Sequence, residues 1–408
     1  MAGVYEFELV HSSKPPSSPP TALKRLAVDS MFGMFDVFYL QATWFYDKPL
    51  DAEGIKKTMT ALVTELPVLA ARLRDEHTLV LSNAGARFSA CAAHPGSAYN
   101  FTGAYQHMEP KRGKFTDYPS GRISDPLFTV RVTNFVDGTS AIGITSPHKI
   151  TDGRSYFQVV SAFATAHDMN GSFELVALPD FDCARVWEEA MPTVDSDEMS
   201  TKCCWGRVGC ITKIARPLFR TFLPKMDQFV PRAKIHLTQA ELAELKTAIA
   251  VGVGHAVTAN EAVSSALLVA LAPHWPSLPK TKQGKVAMIV NTQGKGIFKG
   301  VKNVAGNFSW NIAKETTKPA REMTMAEAAA VFKAIGDDWR DESRAAKCVE
   351  QYVGAFRYMD LVRRLPKEGS KYRLHGDKPL HFEVNNQTVC KRRRVRTCDA
   401  QITQRTLQ

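Results

Sequence analysis

The stretch "SPHKITDGRS", residues 146–155, combines a base and an acid at a spacing that could support catalysis. It places His148 four residues before Asp152, and Gly153 follows the aspartate. Histidine has an ordinary pKa of about 6.5, which suits a general base near neutral pH. A carboxylate at this spacing could fix the loop geometry by pairing with a cation instead of acting on a substrate. The pattern therefore makes His148 a candidate general base and Asp152 a candidate orienting residue.

Spacing alone leaves two other interpretations of this pair open. In the first, His148 satisfies a carbonyl group at the end of a strand and has a structural role only. In the second, a histidine and an aspartate four residues apart on a helix supply two ligands to a metal ion. Pro147 and Gly153 disfavour a helix at this point, and no third ligand is evident, so we expect no metal site.

The elements on either side of the pair follow from the hydrophobic pattern. Phe128, Val130 and Val132 alternate with polar residues, as in a strand. An Asp137-Gly138 turn and the run "AIGITS" predict a second strand that pairs with it as a hairpin. The segment "RSYFQVVSAFATAHD" then predicts a helix with an apolar face. We therefore expect His148 just past a strand end, where a loop on a rigid scaffold often carries chemistry.

Strand and helix signals alternate along the rest of the chain, which is typical of an α/β protein. Residues Val37–Tyr46 predict a strand, and a helix with an apolar face is predicted between Asp51 and Pro67. "KVAMIVNT" predicts a buried strand, followed by the glycine-rich loop "GKGIFKGVKNVAGNFSWN". Three capping boxes predict further helices: Thr238-x-x-Glu241, Thr258-x-x-Glu261 and Thr324-x-x-Glu327.

Length and composition indicate a soluble, two-lobed protein. The chain has 408 residues, of which 44% are hydrophobic and 23% charged, and this length exceeds what one small core needs. We find no secretory signal pattern at the start and no apolar run long enough to span a bilayer. The eight cysteines are expected to be reduced thiols. Cys203, Cys204 and Cys210 lack the second ligand pair of a zinc site.

Several segments resemble the BAHD acyltransferases, a family that transfers acyl groups from acyl-CoA to alcohols or amines. "LAVDSM" and "ELPVLAARL" are similar to segments in the family's amino-terminal part, and "SPHKITDG" matches its His-x-x-x-Asp-Gly motif. "VTANEAVSSAL" and "VAMIVNTQGKG" resemble segments of its second half. "NVAGNFSWN" resembles a loop ending in a Gly-Asn pair, here Gly306-Asn307. The resemblance covers roughly residues 23–388.

The resemblance implies an α/β fold with two chloramphenicol-acetyltransferase-like lobes, each a mixed β-sheet covered by helices. We expect an amino-terminal lobe at residues 1–190 that carries the motif, and a crossover linker at 191–232. A carboxy-terminal lobe is expected at 233–388, followed by a basic tail without fixed structure at 389–408.

The resemblance also implies a mechanism. His148 removes a proton from an acceptor hydroxyl or amine, the nucleophile attacks the thioester carbonyl, and CoA thiolate leaves. Asp152 is implied in the same reaction, while Gly153, Gly306 and Asn307 are expected to be structural. Acyl-CoA is then a co-substrate, with no permanently bound cofactor and no metal. We expect a cytoplasmic monomer with no membrane or nucleic-acid partner.

Basic residues on the glycine-rich loop are candidates for binding CoA phosphates. Lys295, Lys299 and Lys302 would offer ammonium groups beside flexible main-chain amides. The alternative is an ordinary solvated loop. Of the net charge of +11, residues 1–388 carry +6, and this mild excess suits an anionic small ligand.

Two departures from the family pattern keep other functions open. Gln293 stands where the family usually has an arginine that pairs with the motif aspartate. The Asp-Phe-Gly-Trp-Gly motif that the family carries near its end does not occur in this sequence. One alternative is a catalytically degenerate binding protein of the same fold. Another is a condensation-type enzyme that takes its acyl group from a carrier protein, although no carrier-domain serine motif accompanies this chain.

Overall fold

A computed structural model describes ten stretches of the chain. They are residues 5–24, 39–75, 78–98, 115–117, 124–174, 176–190, 237–274, 285–341, 383–386 and 400–403. The chain divides into two compact units, the first formed by residues 1–228 with 300–308 and the second by 229–299 with 309–408. The predicted lobes differ from this division mainly at 300–308, which join the first unit. The predicted linker, 191–232, lies outside the described residues.

One mixed sheet organises the first unit. The described strands of this unit are β1 (Glu6–Val10), β2 (Ala22–Lys24), β3 (Tyr39–Tyr46), β4 (Arg72–Asp75), β5 (Thr78–Val80), β6 (Ala86–His94), β7 (Thr129–Phe135) and β8 (Ser140–Pro147). Five of them form a sheet in the order β1–β6–β7–β8–β3. In this sheet β6 and β7 are parallel, and the other neighbours are antiparallel. A small antiparallel sheet has the order β2–β5–β4.

The hairpin of β7 and β8 confirms the strand prediction around Asp137-Gly138. The N–H of Gly138 donates to the carbonyl of Phe135 at 3.1 Å and closes the turn. Every residue of β8 is buried, because β7 and β3 flank it on both edges and side chains cover its faces. This burial explains why "AIGITS" is almost continuously apolar and does not alternate.

Helix α1 (Ala52–Glu65) and helix α2 (Gly153–Asp168) pack against this sheet and against each other. The predicted apolar face of α1 is buried, including Ile55, Met59 and Leu62. Their side chains share one core with the apolar face of α2 and with residues of β7 and β8. A third helix, α3 (Cys183–Ala190), follows later in this unit.

The second unit contains a hairpin and three helices in its central described part. These elements are α4 (Gln239–Val253), α5 (Ala259–Leu271), β9 (Lys285–Asn291), β10 (Ser309–Glu315) and α6 (Met325–Arg340). The strands pair antiparallel, and α6 packs against both of them and against the other two helices. Ile249, Ala262 and Ala329 are buried together between the helices. Strand β10 begins at Ser309, so the predicted glycine-rich loop ends three residues earlier than expected.

The three predicted capping boxes are confirmed, at the starts of α4, α5 and α6. At α5, the N–H of Glu261 donates to Thr258 Oγ1 at 3.2 Å. In return, the N–H of Thr258 donates to Glu261 Oε2 at 2.7 Å. Each box satisfies main-chain donors that a helix start leaves without intrahelical partners.

Two short strands come from the carboxy-terminal region, β11 (Glu383–Asn386) and β12 (Ala400–Thr403), and they pair antiparallel. Residues 400–403 are the only part of the predicted tail, 389–408, that lies within the described residues. Ile402 and Thr403 are β-branched and favour extended backbone, which fits this pairing.

The described residues also include two of the cysteines and can be searched for a helix that spans a membrane. Cys91 and Cys183 are buried thiols, whereas Cys203, Cys204 and Cys210 lie outside these residues. No helix in the described stretches combines the length and apolar character needed to cross a bilayer.

Glu327 provides a pH test of the capping box on α6. A hydrogen bond from Lys318, and then one from the Thr324 N–H, lower the pKa of Glu327 from 4.5 to about 2. A carboxylate with a lowered folded-state pKa stabilises the fold above its unfolded-state pKa, and this contribution disappears as the pH falls through the folded-state value. We expect Glu327→Gln to be less stable than wild type at pH 6, and the difference to shrink between about pH 4.5 and about pH 2.

Urea unfolding of both proteins at several pH values measures this difference. A Lys318→Ala background is the matched control, because Lys318 Nζ lies 2.8 Å from Glu327 Oε2. In that background the effect of Glu327→Gln at pH 6 should be smaller. An effect that is constant from pH 6 to pH 3 would contradict the assignment.

Candidate active site

His148 lies in the tight turn that connects β8 to α2. The N–H of Ile150 donates to the carbonyl of Pro147 at 3.1 Å, so His148 and Lys149 are the central residues of a β-turn. His148 is half-buried, and Ile150 is buried in the core of the unit. The histidine therefore follows directly after a buried strand, as predicted, and its main chain is held by the turn.

Asp152 is the N-cap residue of α2, and its exposed fraction is 0%. Its Oδ1 atom accepts the N–H of Ser155 at 2.8 Å. Aspartate is favoured at this position because it satisfies a free main-chain donor and places negative charge at the positive end of the helix dipole. The aspartate thus fixes the point at which the histidine turn ends and the helix begins.

A segment distant in sequence, residues 300–308, completes the surroundings of Asp152. The Oδ2 atom of Asp152 accepts the N–H of Phe308 at 3.1 Å, and the N–H of Asp152 donates to the carbonyl of Gly306 at 3.2 Å. The sequence suggested a cation as the partner of this carboxylate, whereas these donors are neutral main-chain groups. Hydrogen bonds to a buried carboxylate are charge-assisted and strong, so they join α2 firmly to the segment.

Ser155 is a second link between α2 and the segment, and it is completely buried. Its hydroxyl oxygen lies 2.8 Å from Asp152 Oδ1 and 3.0 Å from the carbonyl oxygen of Gly306. The same oxygen accepts the N–H of Gly306 at 3.1 Å. One hydroxyl therefore connects the N-cap carboxylate with both main-chain groups of Gly306.

Asn307 contacts the histidine turn directly. Its side chain is fully buried, and Nδ2 donates to the main-chain carbonyl of His148 at 2.9 Å. Its neighbour Gly306 lies against Cys183, and a Cβ atom at position 306 would be 2.9 Å from the Cβ of that cysteine. The glycine permits this close approach, while the asparagine reaches the motif loop.

Tyr156 anchors α2 beneath β8. Its hydroxyl donates to the carbonyl of Ile144 at 2.8 Å, and its side chain is buried. Burial raises the pKa of the Tyr156 phenol far above its ordinary value, so the hydroxyl remains protonated and continues to donate. The turn that carries His148 therefore connects a strand and a helix that are joined by a hydrogen bond as well as by apolar packing.

The three lysines proposed to bind CoA have different surroundings. Lys295 is half-buried, and its Nζ atom donates to the carbonyl of Asn291 at 3.1 Å. Lys299 and Lys302 are exposed. The first two belong to the second unit and Lys302 to the first. Gln293, in the second unit, is buried, and its N–H donates to Asn291 Oδ1 at 3.2 Å. A role for the lysines in CoA binding stays a prediction.

Gly153 does not share the steric constraint of Gly306. It is the first residue of α2, and a Cβ atom there would meet no atom within 4 Å. The close packing expected of a structural glycine is therefore seen at 306 and not at 153. Among the residues that the structure describes, no group of three or more His, Cys, Asp or Glu side chains could hold a metal ion.

The sequence interpretation did not identify Ser155 or Phe308. A signal for Ser155 was available, because an aspartate before a helix is expected to accept the N–H group three residues later. Phe308 contributes its main-chain N–H to Asp152, and no side-chain type marks such a contribution in a sequence. Its position becomes evident only from the three-dimensional structure.

The arrangement can support proton transfer by an imidazole on a fixed turn. Both oxygen atoms of Asp152 accept hydrogen bonds from α2 or from Phe308, so this carboxylate holds the loop in place. Of the two central residues of the turn, His148 is the one whose ordinary pKa lies near neutrality. These observations are consistent with a general base positioned by its surroundings.

Comparison with protein families identifies the class. Residues 10–202, which include the histidine turn and α2, match the model described as "Transferase family". The matched residues make up just under half of the chain. This match agrees with the BAHD-type resemblance predicted from the sequence, and it supports acyl transfer as the general activity. No curated protein sequence matches the chain.

Several solved structures resemble this chain in fold. Vinorine synthase has 16% sequence identity and a TM-score of 0.56, over 81% of this chain and 75% of that one. TRI101 of F. sporotrichioides, complexed with coenzyme A and T-2, has 12% identity and a TM-score of 0.52, over 82% and 78%. The epimerization domain of the third module of tyrocidine synthetase B has 12% identity and a TM-score of 0.51, over 84% and 76%. These similarities confirm the predicted α/β fold class.

Gly306 and Gly153 form a matched pair for a stability test. We expect Gly306→Ala to destabilise the protein by about 1–3 kcal/mol, because the new methyl group would overlap with Cys183. Gly153→Ala should be neutral or stabilising by up to about 1 kcal/mol, because the site is open and alanine favours a helix. Urea unfolding of both variants measures the two effects. Equal effects would show that the approach of Cys183 does not constrain position 306.

Proposed function

We propose that this protein is an acyl-CoA-dependent acyltransferase in which His148 is the general base. The observation that carries the proposal is the fixed position of the histidine. Its turn is closed by the Ile150 N–H, ends at the buried N-cap Asp152, and receives a hydrogen bond from Asn307. A base that must meet a reacting hydroxyl or amine within hydrogen-bond distance needs such positioning.

The reaction follows from ordinary acyl-transfer chemistry. The neutral imidazole of His148 takes the proton from the acceptor hydroxyl or amine as that atom forms its bond to the thioester carbonyl carbon. The carbonyl oxygen becomes an oxyanion in a tetrahedral intermediate. When the intermediate collapses, the carbon–sulfur bond breaks and CoA leaves as a thiolate, which can take the proton from the imidazolium. This reaction needs no acyl-enzyme intermediate, because a thiolate is already a good leaving group.

Acyl-CoA is the proposed donor because of the family and because of the surface charge. A structural neighbour, TRI101 of F. sporotrichioides, is complexed with coenzyme A and T-2. Lys299 and Lys302 are exposed and could bind CoA phosphates, while Lys295 already donates to a main-chain carbonyl. We further propose that the enzyme acts as a cytoplasmic monomer with no permanently bound cofactor.

Replacement of His148 tests the base. We expect His148→Ala to lower the rate of acyl transfer by about 100-fold or more, because general base catalysis contributes roughly 10²–10⁴-fold. Release of free CoA thiol from a panel of acyl-CoA donors, with alcohol and amine acceptors, measures the rate. His11→Ala is the control. His11 is exposed and far from the motif in the sequence, and its Nδ1 atom forms a hydrogen bond with the main-chain carbonyl of Asn83. Full activity in the His148→Ala variant would refute the assignment.

The carrier-protein alternative can be tested in parallel with the CoA proposal. The tyrocidine synthetase epimerization domain shares the fold, at 12% identity and a TM-score of 0.51. The same acceptor panel should therefore be tested with an acyl group on a carrier protein. Transfer from the carrier but not from acyl-CoA would replace the CoA proposal. A folded protein that binds CoA and transfers no acyl group from either donor would indicate the degenerate binding protein.

Asp152 is proposed to hold the loop, and Asp152→Asn tests this role. An amide in its place cannot accept hydrogen bonds on both terminal atoms, so the N–H of Ser155 or that of Phe308 loses its acceptor. We expect a loss of about 1–3 kcal/mol in stability and at least about a tenfold loss in kcat.

Asp182→Asn is the matched control for that test. Asp182 precedes α3 and accepts the N–H of Arg185 at 3.3 Å, but it is exposed on the surface. The control should cost little stability and leave kcat unchanged. If Asp152→Asn matched wild type in both rate and stability, Asp152 would have no orienting role.

A further inference from the structure

We propose that Asn307 is a positioning residue for His148, acting through the main-chain carbonyl of the histidine. This inference rests on the proposed function of His148 as a general base. Asn307 lies 159 positions away in the sequence, yet its Nδ2 atom is 2.9 Å from the carbonyl oxygen of His148. Its exposed fraction is 0%, so its donor group is shielded from water, although the acceptor residue His148 is only half-buried.

The position of Asn307 is fixed independently of the histidine. On one side of its segment, the N–H of Asp180 donates to the carbonyl of Asn303 at 2.9 Å, and the N–H of Ala305 donates to the carbonyl of Asp180 at 2.6 Å. On the other side, Gly306 is bound by Ser155 and by the N–H of Asp152. Asn307 therefore projects from a backbone that is held from two directions.

The hydrogen bond acts on the part of the turn that sets the direction of the imidazole. The carbonyl of His148 belongs to a peptide plane in the centre of the β-turn, and the side chain leaves from the adjoining Cα atom. Rotation of that plane would move the imidazole, and a displacement of about 1 Å can cost about 100-fold in rate. Asn307 opposes this rotation because its donor binds the carbonyl from a fixed point.

Asn307→Asp is the first test, because it keeps the shape of the side chain and removes its N–H donors. We expect kcat to fall by about 10- to 100-fold, with KM for donor and acceptor changed by less than about threefold. The added carboxylate would also favour the imidazolium form of His148. The acidic limb of the pH–rate profile should therefore move to higher pH. Asn307→Ala should lower kcat in the same way without moving that limb.

Asn303→Asp is the matched control within the same segment. Asn303 is half-buried, and its Nδ2 atom donates to a different main-chain carbonyl, that of Leu178, at 2.6 Å. The same substitution there should cost stability but leave kcat and the pH–rate profile of the enzyme unchanged. A purely structural role for Asn307 predicts that its variants behave like this control.

A second measurement does not depend on activity. Diethyl pyrocarbonate modifies neutral imidazole, and peptide mass spectrometry of the full-length protein gives the rate at His148 as a function of pH. We expect Asn307→Asp to move the midpoint at His148 to higher pH and Asn303→Asp to leave it in place. This result would show that the side chain at position 307 lies close to the imidazole of His148 even if wild type transferred no acyl group, an outcome that would refute the proposed function alone.

Two results would overturn the inference about Asn307. The first is wild-type kcat in both Asn307→Asp and Asn307→Ala, together with an unchanged pH profile of His148 modification in Asn307→Asp. The other is a loss of activity in Asn303→Asp equal to that in Asn307→Asp, which would show that any disturbance of the segment has the same effect. If Asn307→Asp does not fold, the kcat of Asn307→Ala decides between positioning and no role.

Discussion

The buried carboxylate of Asp152 is the interaction on which the candidate active site depends. An ionised group without exposure to solvent is stable only if its oxygen atoms receive hydrogen bonds. The N–H groups of Ser155 and Phe308 provide them, from the first turn of α2 and from the segment 300–308. Because these donors come from separate parts of the chain, the carboxylate joins a helix start to a distant loop. Breaking the junction would leave a buried charge and free main-chain donors, and both are costly.

The segment 300–308 has an unusual place in the chain. In sequence it lies between β9 and β10, which belong to the second unit, yet its residues pack within the first. Gly306 allows it to approach α3 at Cys183, and Ser155 binds its main chain from α2. The motif turn is therefore completed by residues that the chain supplies much later. A truncation before residue 300 would remove partners of Asp152 and His148 together.

Substitution of neutral donors for an expected cation has a physical basis. The resemblance suggested an arginine partner for the motif aspartate, and Gln293 occupies that position in the sequence. The N-terminus of α2 already supplies positive potential, and N–H groups directed at a buried carboxylate add charge-assisted hydrogen bonds. An aspartate at an N-cap can thus be held without a formal positive charge among these donors. The holding role is compatible with the departure from the family pattern.

Much of the local structure could be predicted from sequence, because the deciding interactions span only a few residues. The capping boxes before α4, α5 and α6 each join residues three positions apart, and all three are formed. The apolar faces of α1 and the hairpin of β7 and β8 also follow from short-range patterns. The location of His148 after a strand followed from those elements. The exact strand start at Ser309 and the strand at 400–403 were not predicted, since short strands depend on their partners.

By itself, then, the sequence determined the helices and strands of the motif region, the candidate pair His148 and Asp152, and the family resemblance. The tertiary structure alone decided what holds that pair. Phe308 and Asn307 act through a main-chain N–H and a contact across 159 positions, and the hydroxyl of Ser155 binds the main chain of Gly306. No spacing rule connects residues so far apart, because their proximity results from packing of the segment 300–308 against α2 and the histidine turn.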